Sequence, residues 1–519
     1  MMSSLTSATK GVLPNFVNGV FKVPEVKDYV SSINPATGEA VARVPLSSAA
    51  DLDEAVEHAK AAFPAWSGLT VKQRASCMFK FHHLMEIHAD ELAKLIVLEN
   101  GKNVAEALAD LAKGNETVEW ACSLPQLSCG KTLEVSKGIT CQESRVPLGV
   151  VAAIVPFNFP AMVPMWTIPI SLTTGNCVIL KPSEKVPSTM QRIAELLTEA
   201  GVPPGVFQIV HGAVDVVNAM CDHPDIAAVT FVGSSKVAEI VSNRCHTKNK
   251  RVLALGGAKN HLVALPDCDL GMTSRDVVAS FAGCCGQRCM AASVLIVVKP
   301  EGQVDVSHAL LEEIVSVAGK LKPGQEAGDV GPIIDGASKA RSLQYISDSE
   351  AAGAKVLLDG RTWAQRDGFW VGPTILLHSS KDDKAVKDEI FGPILSVLVV
   401  DTWEEAIAIE NANPYGNAAC IYTERGSAAE FFTKRFRAAM LGVNIGIPVP
   451  REPFSFGGLY GTLSKYGDYD VTGDGAMEFF TSRIKVTTKW SASYSTGAAA
   501  LHRATSSGMV DKANFDGKI

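Results

Sequence analysis

Three cysteines, Cys284, Cys285 and Cys289, fall within six residues, among small side chains and beside a single arginine, Arg288. A thiol becomes a nucleophile when a substrate can reach it, a neighbour favours the thiolate, and donors await the oxyanion it creates. Cys289 adjoins Arg288, whereas Cys284 and Cys285 have no charged neighbour in the sequence. Gly283 and Gly286 permit tight turns of the backbone close to a ligand. Cys289 is therefore the candidate nucleophile. The competing reading is that all three pack as small buried residues, the commoner fate of free cysteine.

A cofactor needs other parts. No Gly-x-Gly-x-x-Gly follows a strand, so the standard dinucleotide fingerprint is absent. Two other strand ends offer what a dinucleotide requires. Lys181 and Glu184 follow an apolar run at 177–180, where a carboxylate can accept hydrogen bonds from ribose hydroxyls. It would also repel a 2′-phosphate, which favours NAD over NADP. Gly233 and Ser234 open a helix after the run ending at Val232, and free N–H groups there suit a pyrophosphate. Asn158, between Phe157 and Phe159, offers an amide N–H₂ to an oxyanion, although asparagine in a turn often serves turn geometry alone.

Gly286-Gln287-Arg288-Cys289 resembles the nucleophile motif of the aldehyde dehydrogenase superfamily. Ile-Asn-Pro-Ala-Thr-Gly at 33–38, Pro-Phe-Asn-Phe-Pro at 156–160 and Lys-Pro-Ser-Glu at 181–184 agree with it. So do Phe-Val-Gly-Ser at 231–234 and Glu-Ile-Phe-Gly-Pro at 389–393, all in family order. Gly-Ala-Lys-Asn-His at 257–261 and Cys289-Met290-Ala291 are most similar to its methylmalonate-semialdehyde branch. The resemblance runs from about residue 16 to 490. It implies an α/β protein: a Rossmann-type, doubly wound NAD domain, an α/β catalytic domain and a small β arm for oligomerisation. It implies that Cys289 attacks, with Asn158 and the Cys289 N–H holding the oxyanion. It places Phe157, Lys181, Glu184, Gly233 and Ser234 on NAD, with Glu389 and Phe391 on the nicotinamide side. It also implies a homo-oligomer, dimer or tetramer, and the mitochondrial matrix, with the cytosol left open.

One departure from the wider family is informative. In hydrolytic members a glutamate activates the water that releases the acyl group. Aligning on Gly256-Gly257 puts Ala254 there, and aligning on Lys259 puts Leu255; no carboxylate lies between Glu239 and Asp267. A thioester without a general base hydrolyses slowly and can wait for a thiol. Coenzyme A is that thiol in the branch this chain resembles. The expected reaction is NAD-dependent, CoA-acylating oxidative decarboxylation of methylmalonate or malonate semialdehyde to propionyl-CoA or acetyl-CoA. The rivals are a hydrolytic semialdehyde dehydrogenase with a base from elsewhere, and a catalytically idle protein on the same fold. A substrate carboxylate needs a cation. Arg288 could pair with it bidentately, or could only order the loop or lower the Cys289 pKa. A second arginine of the branch aligns with Lys113, which keeps the charge and loses the planar fork.

The elements that must position these residues follow from pattern. Four continuous apolar or near-apolar runs, 150–155, 177–180, 206–210 and 227–232, alternate with helical patterns at 189–200, 214–221 and 235–244, which predicts a parallel, doubly wound sheet. The alternation restarts at 262–264, 274–282, 294–298 and 307–321. Before both, helices are expected over 48–66, capped by Ser48 with Asp51, and over 72–88, 91–100 and 103–120. Asn18-Gly19 signals a hairpin. The expected domains are an NAD-binding unit (16–130 and 145–253), a catalytic unit (254–444), an arm (131–144 and 470–490) and a flexible tail (491–519).

With 519 residues, two or three domains are expected, and 47% hydrophobic with 20% charged residues suits a globular chain. A net charge of −7 gives no reason to expect nucleic acid or a membrane surface as partner. The uncharged stretch 146–180 is long enough to span a bilayer, but five prolines break it into a strand, a loop and a short helix. The 12 cysteines include no Cys-x-x-Cys pair, so neither a disulfide framework nor a metal site is expected.

Overall fold

Apolar runs that do not alternate with polar residues must be buried on both faces. Val150–Ile154 and Cys177–Lys181 are strands with every residue buried, and they pair in parallel at the centre of an eight-stranded sheet. Across that sheet the order is Lys465–Gly467, Arg251–Leu255, Ile226–Val232, Val150–Ile154, Cys177–Lys181, Phe207–Ile209, Asn15–Val17 and Val20–Lys22. The five inner strands are parallel, and the outer pairings are antiparallel. Asn18 and Gly19 turn the edge hairpin with φ of 51° and 78°, the paired positive values that two-residue hairpin turns favour. This computed structural model describes residues 11–299 and 307–490; the expected tail at 491–519 lies outside them.

A second sheet has seven strands, in the order Lys355–Leu358, Thr374–Leu377, Ile394–Val400, Ala292–Val298, Asn260–Ala264, Ala418–Tyr422 and Met440–Val443. Only its first pairing is antiparallel. Helices cover the sheets, and their starts obey local chemistry. Ser48 and Asp51 form a reciprocal capping box for Ala49–Ser67, as the sequence predicts, and Thr70 with Gln73 does the same for Val71–Ile87. Asn103 caps Val104–Cys122, the helix that will reach the site.

Several boundaries differ from the expected ones. Residue 254 falls inside the strand Arg251–Leu255 of the first sheet, so the division between the two units comes after Leu255. Gly473–Phe480 is a helix whose Ala476, Phe479 and Phe480 join the core of the first sheet, which removes 470–480 from the arm. The arm is the three-stranded sheet of Lys131–Ser136, Ile139–Pro147 and Thr481–Lys489. Gly138, φ 73°, turns the chain between the first two of these strands. The helix expected from residue 274 begins at Leu270, because the Asp269 side chain accepts the Met272 N–H. No described helix is long and apolar enough to cross a membrane.

Candidate active site between two cavities

Ligands in open α/β sheets bind beyond the carboxyl ends of the strands. Here those ends deliver Asn158 after Val150–Ile154, Lys181 at the close of its strand, and Gly233 after Ile226–Val232. The second unit supplies Cys289, in the turn between Leu270–Ala282 and Ala292–Val298, and Glu389, before Ile394–Val400. They converge on two cavities. One, of about 370 Å³, is lined by Phe157, Asn158, Gly233, Ser234, Glu389 and Phe391 together with Cys289. The other, of about 210 Å³, is lined by Lys113, Arg288 and again Cys289, with an apolar wall of Met162, Trp166 and Phe456. The thiol thus stands between them.

The turn carrying Cys289 is unusual backbone. Cys284, Cys285 and Gly286 are consecutive left-handed residues, φ 49°, 53° and 68°. Each such non-glycine residue costs roughly 1–3 kcal/mol and persists only when its surroundings fix it. They do: Glu106 Oε1 accepts the Cys284 N–H at 2.6 Å, and Cys285 is packed against Val330, Ile333 and Val371. At Gly286 a Cβ would lie 2.1 Å from the Gly392 oxygen, so only glycine lets this turn touch the loop that carries Glu389. Two asparagines hold Cys289 itself. Asn260 Nδ2 and Asn417 Nδ2 donate to its carbonyl at 2.8 and 2.9 Å. Asn260 belongs to the Gly-Ala-Lys-Asn-His stretch at 257–261, but nothing local in the sequence ties either asparagine to the Cys289 carbonyl.

Arg288 hydrogen-bonds a different thiol from the one that follows it. Its Nε donates to Cys284 Sγ at 3.2 Å, and its Nη2 lies 3.4 Å from Glu106 Oε1. Cys284 therefore has the charged neighbours that sequence adjacency denied it. Burial pushes the Cys289 thiol up to about 12, the nearby Glu389 adds to this, and Arg288 opposes it least. Arg288 thus favours the Cys289 thiolate in direction, as the sequence suggests, but burial outweighs it. Lys113 reaches the same cavity, half exposed and paired with Glu116 at 2.9 Å.

Asn158 is buried, and its Nδ2 donates to the Gln287 carbonyl at 3.0 Å, using one of its two N–H bonds. Its loop is clamped: Asn100 Nδ2 donates to the Phe157 carbonyl at 2.8 Å, and the Lys102 ammonium sits 3.8 Å from the Phe159 ring centre. Phe157 meets Phe391 edge to face, centroids 5.9 Å apart, at one end of the larger cavity. Glu184 and Lys181 pair at 3.3 Å outside that lining. Burial raises the Glu184 pKa, yet the Lys181 ammonium and backbone N–H outweigh it and hold the carboxyl below its usual range. Ser234 caps the helix Ser235–Thr247 without a side-chain bond to it, leaving first-turn N–H groups for an anion. These residues fit a dinucleotide: an ionised carboxylate for ribose, a free helix N-terminus for pyrophosphate, and an aromatic-walled cavity ending at the thiol.

Comparison with known proteins agrees with this arrangement. A sequence model of the aldehyde dehydrogenase family matches residues 22–486. Malonate-semialdehyde dehydrogenase 2 of Geobacillus kaustophilus is 43% identical over 490 residues, covering 93% of this chain and 100% of the relative. Malonate-semialdehyde dehydrogenase 2 of Oceanobacillus iheyensis is 41% identical, covering 94% and 100%. The crystal structure of methylmalonate-semialdehyde dehydrogenase from Oceanimonas doudoroffii superposes with a TM-score of 0.90 at 38% identity, covering 93% of this chain and 99% of that one. These relatives are bacterial, from cells without mitochondria, which overturns the expected matrix location. A fold of two α/β units, a cysteine between two cavities and a match over nearly the whole length place this chain in the aldehyde dehydrogenase family.

Proposed function

We propose that this protein oxidises malonate semialdehyde or its methyl homologue with NAD and transfers the acyl group to coenzyme A. The observation that carries the reading is the pair of side chains where a hydrolytic member has its glutamate. Ala254 and Leu255 are 0% and 3% exposed within the strand Arg251–Leu255, and neither carries a group that could take a proton from water. The names of the relatives point to the same substrates. A solved structure from Sinorhizobium meliloti 1021 at 36% identity, complexed with NAD, supports the nucleotide.

In this mechanism Cys289 Sγ attacks the aldehyde carbon, and the Asn158 amide with the Cys289 N–H holds the resulting oxyanion. Such a donor is worth about 3–4 kcal/mol. NAD, when bound, accepts the hydride. Phe157, Phe391, Glu389, Gly233 and Ser234 would orient it in the larger cavity, and Glu184 with Lys181 would hold its ribose. Arg288 pairs with the substrate carboxylate, and Lys113 at the cavity mouth attracts it. The thioester on Cys289 carries a β-carboxylate, which leaves as CO₂; the C–C electron pair passes into the thioester enolate, whose α-carbon then takes a proton from water. The coenzyme A thiol then attacks, and Cys289 is released.

The arm supports a homo-oligomer. Its outer strands present free edges with Leu133, Ile484 and Val486 exposed at 66%, 48% and 53%, surface that a second copy would cover. The deciding assay incubates the enzyme with NAD and malonate semialdehyde, with and without CoA, and identifies the product by mass. Acetyl-CoA formed only with CoA is expected. Free acid formed at the same rate without it would move the protein to the hydrolytic class.

A further inference from the structure

A partly buried thiol in an apolar setting, as Cys289 is, keeps its proton, so its attack on a carbonyl needs an acceptor within reach of the cavity. Ala254 and Leu255 provide none. Among the described residues lining the larger cavity beside Cys289, Glu389 is the sole carboxylate. It is fixed there. Its Oε1 accepts the Ala258 N–H at 2.9 Å, and its Oε2 occupies the space that a side chain on Gly257 would need, 2.2 Å from the Cβ position. The contact of Gly286 with Gly392 joins its loop to the turn before Cys289.

We propose that Glu389 is the general base of this enzyme, taking the proton of Cys289 as its sulfur attacks, releasing it to solvent, and later taking that of coenzyme A. The proposal rests on Cys289 being the nucleophile. In the first step the S–C bond forms as the S–H bond breaks. The proton passes to the carboxylate through cavity water, and the carbonyl electron pair moves to the oxygen held by Asn158. The cavity of about 370 Å³ has Asn158, Ser234, Arg341 and Glu389 in its otherwise apolar lining, which gives that water both room and polar partners. No electron transfer is involved.

The charged and titratable groups facing Glu389 come from four segments. Arg341 projects from the helix Gly336–Ala351, Lys259 immediately precedes the strand Asn260–Ala264, Tyr415 lies before Ala418–Tyr422, and Cys289 faces it across the cavity. Burial raises the Glu389 pKa to about 7, against the Ala258 N–H, Lys259 and Arg341. A base poised near neutrality is the most effective at the working pH.

The test is alkylation of the full-length protein by iodoacetamide from about pH 6 to 9, with peptide mapping of Cys289. It uses wild type, Glu389→Gln and Glu389→Asp, and needs neither nucleotide, aldehyde nor CoA. The wild-type rate should rise through neutral pH and then level, as the base completes its ionisation. Glu389→Gln should be at least about tenfold slower at pH 7 and climb about tenfold per pH unit without levelling; Glu389→Asp should recover part of the rate. If the carboxylate only repels the thiolate, removing it lowers the thiol pKa and Glu389→Gln reacts faster; that, or an unchanged rate, overturns the proposal. A wild-type profile that climbs through the whole range does so too, whether or not a variant folds. Label on another cysteine instead would overturn the nucleophile assignment, a failure distinct from Cys289 labelling with an unaltered rate.

Discussion

Glu106 and Arg288 stand 3.4 Å apart, and the same Glu106 oxygen holds the Cys284 N–H at 2.6 Å. One carboxylate therefore both fixes the left-handed turn before the nucleophile and aims the guanidinium into the smaller cavity. Arg288→Gln should raise KM for malonate semialdehyde by about 10- to 100-fold, from the 1.5–3 kcal/mol typical of a charged hydrogen bond. Propanal, which has no carboxylate, should lose less than about threefold. Equal losses for both aldehydes would show that Arg288 orders the turn and meets no substrate.

Removing thiols separates chemistry from packing. Cys289→Ala should abolish NADH formation with the fold intact, because no other thiol faces both cavities. Cys284→Ala should keep most activity. Cys285→Ala removes a buried sulfur among Val330, Ile333 and Val371, and should lower stability by about 1 kcal/mol with little effect on kcat. Thermal melts with steady-state kinetics read both, and activity lost with Cys284 or Cys285 alone would contradict the assignment.

Glu184 should set the nucleotide preference. Wild type is expected to favour NAD in kcat/KM, and Glu184→Gln should narrow the NAD:NADP ratio by about tenfold as the repulsion of a 2′-phosphate disappears. A wild type that prefers NADP would mean that the carboxylate paired with Lys181 points away from the ribose.

Without coenzyme A the acyl group should stay on the enzyme. Rapid mixing with NAD and malonate semialdehyde should give a burst of about one NADH per Cys289, then a much slower steady rate. Linear NADH production from the first turnover, without CoA, would contradict a stable thioester.

Away from the site, Glu99 is fully buried and its carboxylate accepts the Ser188 N–H at 2.9 Å. Burial raises its pKa to about 7, against the hydrogen bonds from Ser188 and Thr189. The folded pKa lies above the unfolded one, so this group's contribution is complete below about pH 4.3 and is lost as pH rises through about 7. Glu99→Gln removes the titration. Relative to wild type the variant should gain stability from pH 5 to pH 8, at most about 3 kcal/mol at roughly 1.4 kcal/mol per pKa unit. Denaturant melts at the two pH values measure it, and a difference that does not change with pH would show that Glu99 is ionised at no cost.

What the sequence by itself determined is whatever depends on neighbours along the chain. Capping boxes at Ser48 and Thr70, the Asn18-Gly19 turn and the buried runs at 150–154 and 177–181 are local events, governed by backbone sterics, short-range hydrogen bonds and hydrophobic periodicity. Motifs likewise singled out Cys289, Asn158 and Glu389, because each sits in a short stretch with a family pattern. Tertiary structure decided everything that depends on distance through space. Only the fold carries Glu106 across 182 positions to Arg288, turns that arginine towards Cys284, and shields Cys289 enough from water that its thiol holds its proton. The arm boundary moved for the same reason, since the aromatic pair Phe479 and Phe480 belongs to a core assembled from strands hundreds of residues earlier. Desolvation and charge pairing are properties of a neighbourhood, and a neighbourhood exists only once the chain has closed on itself.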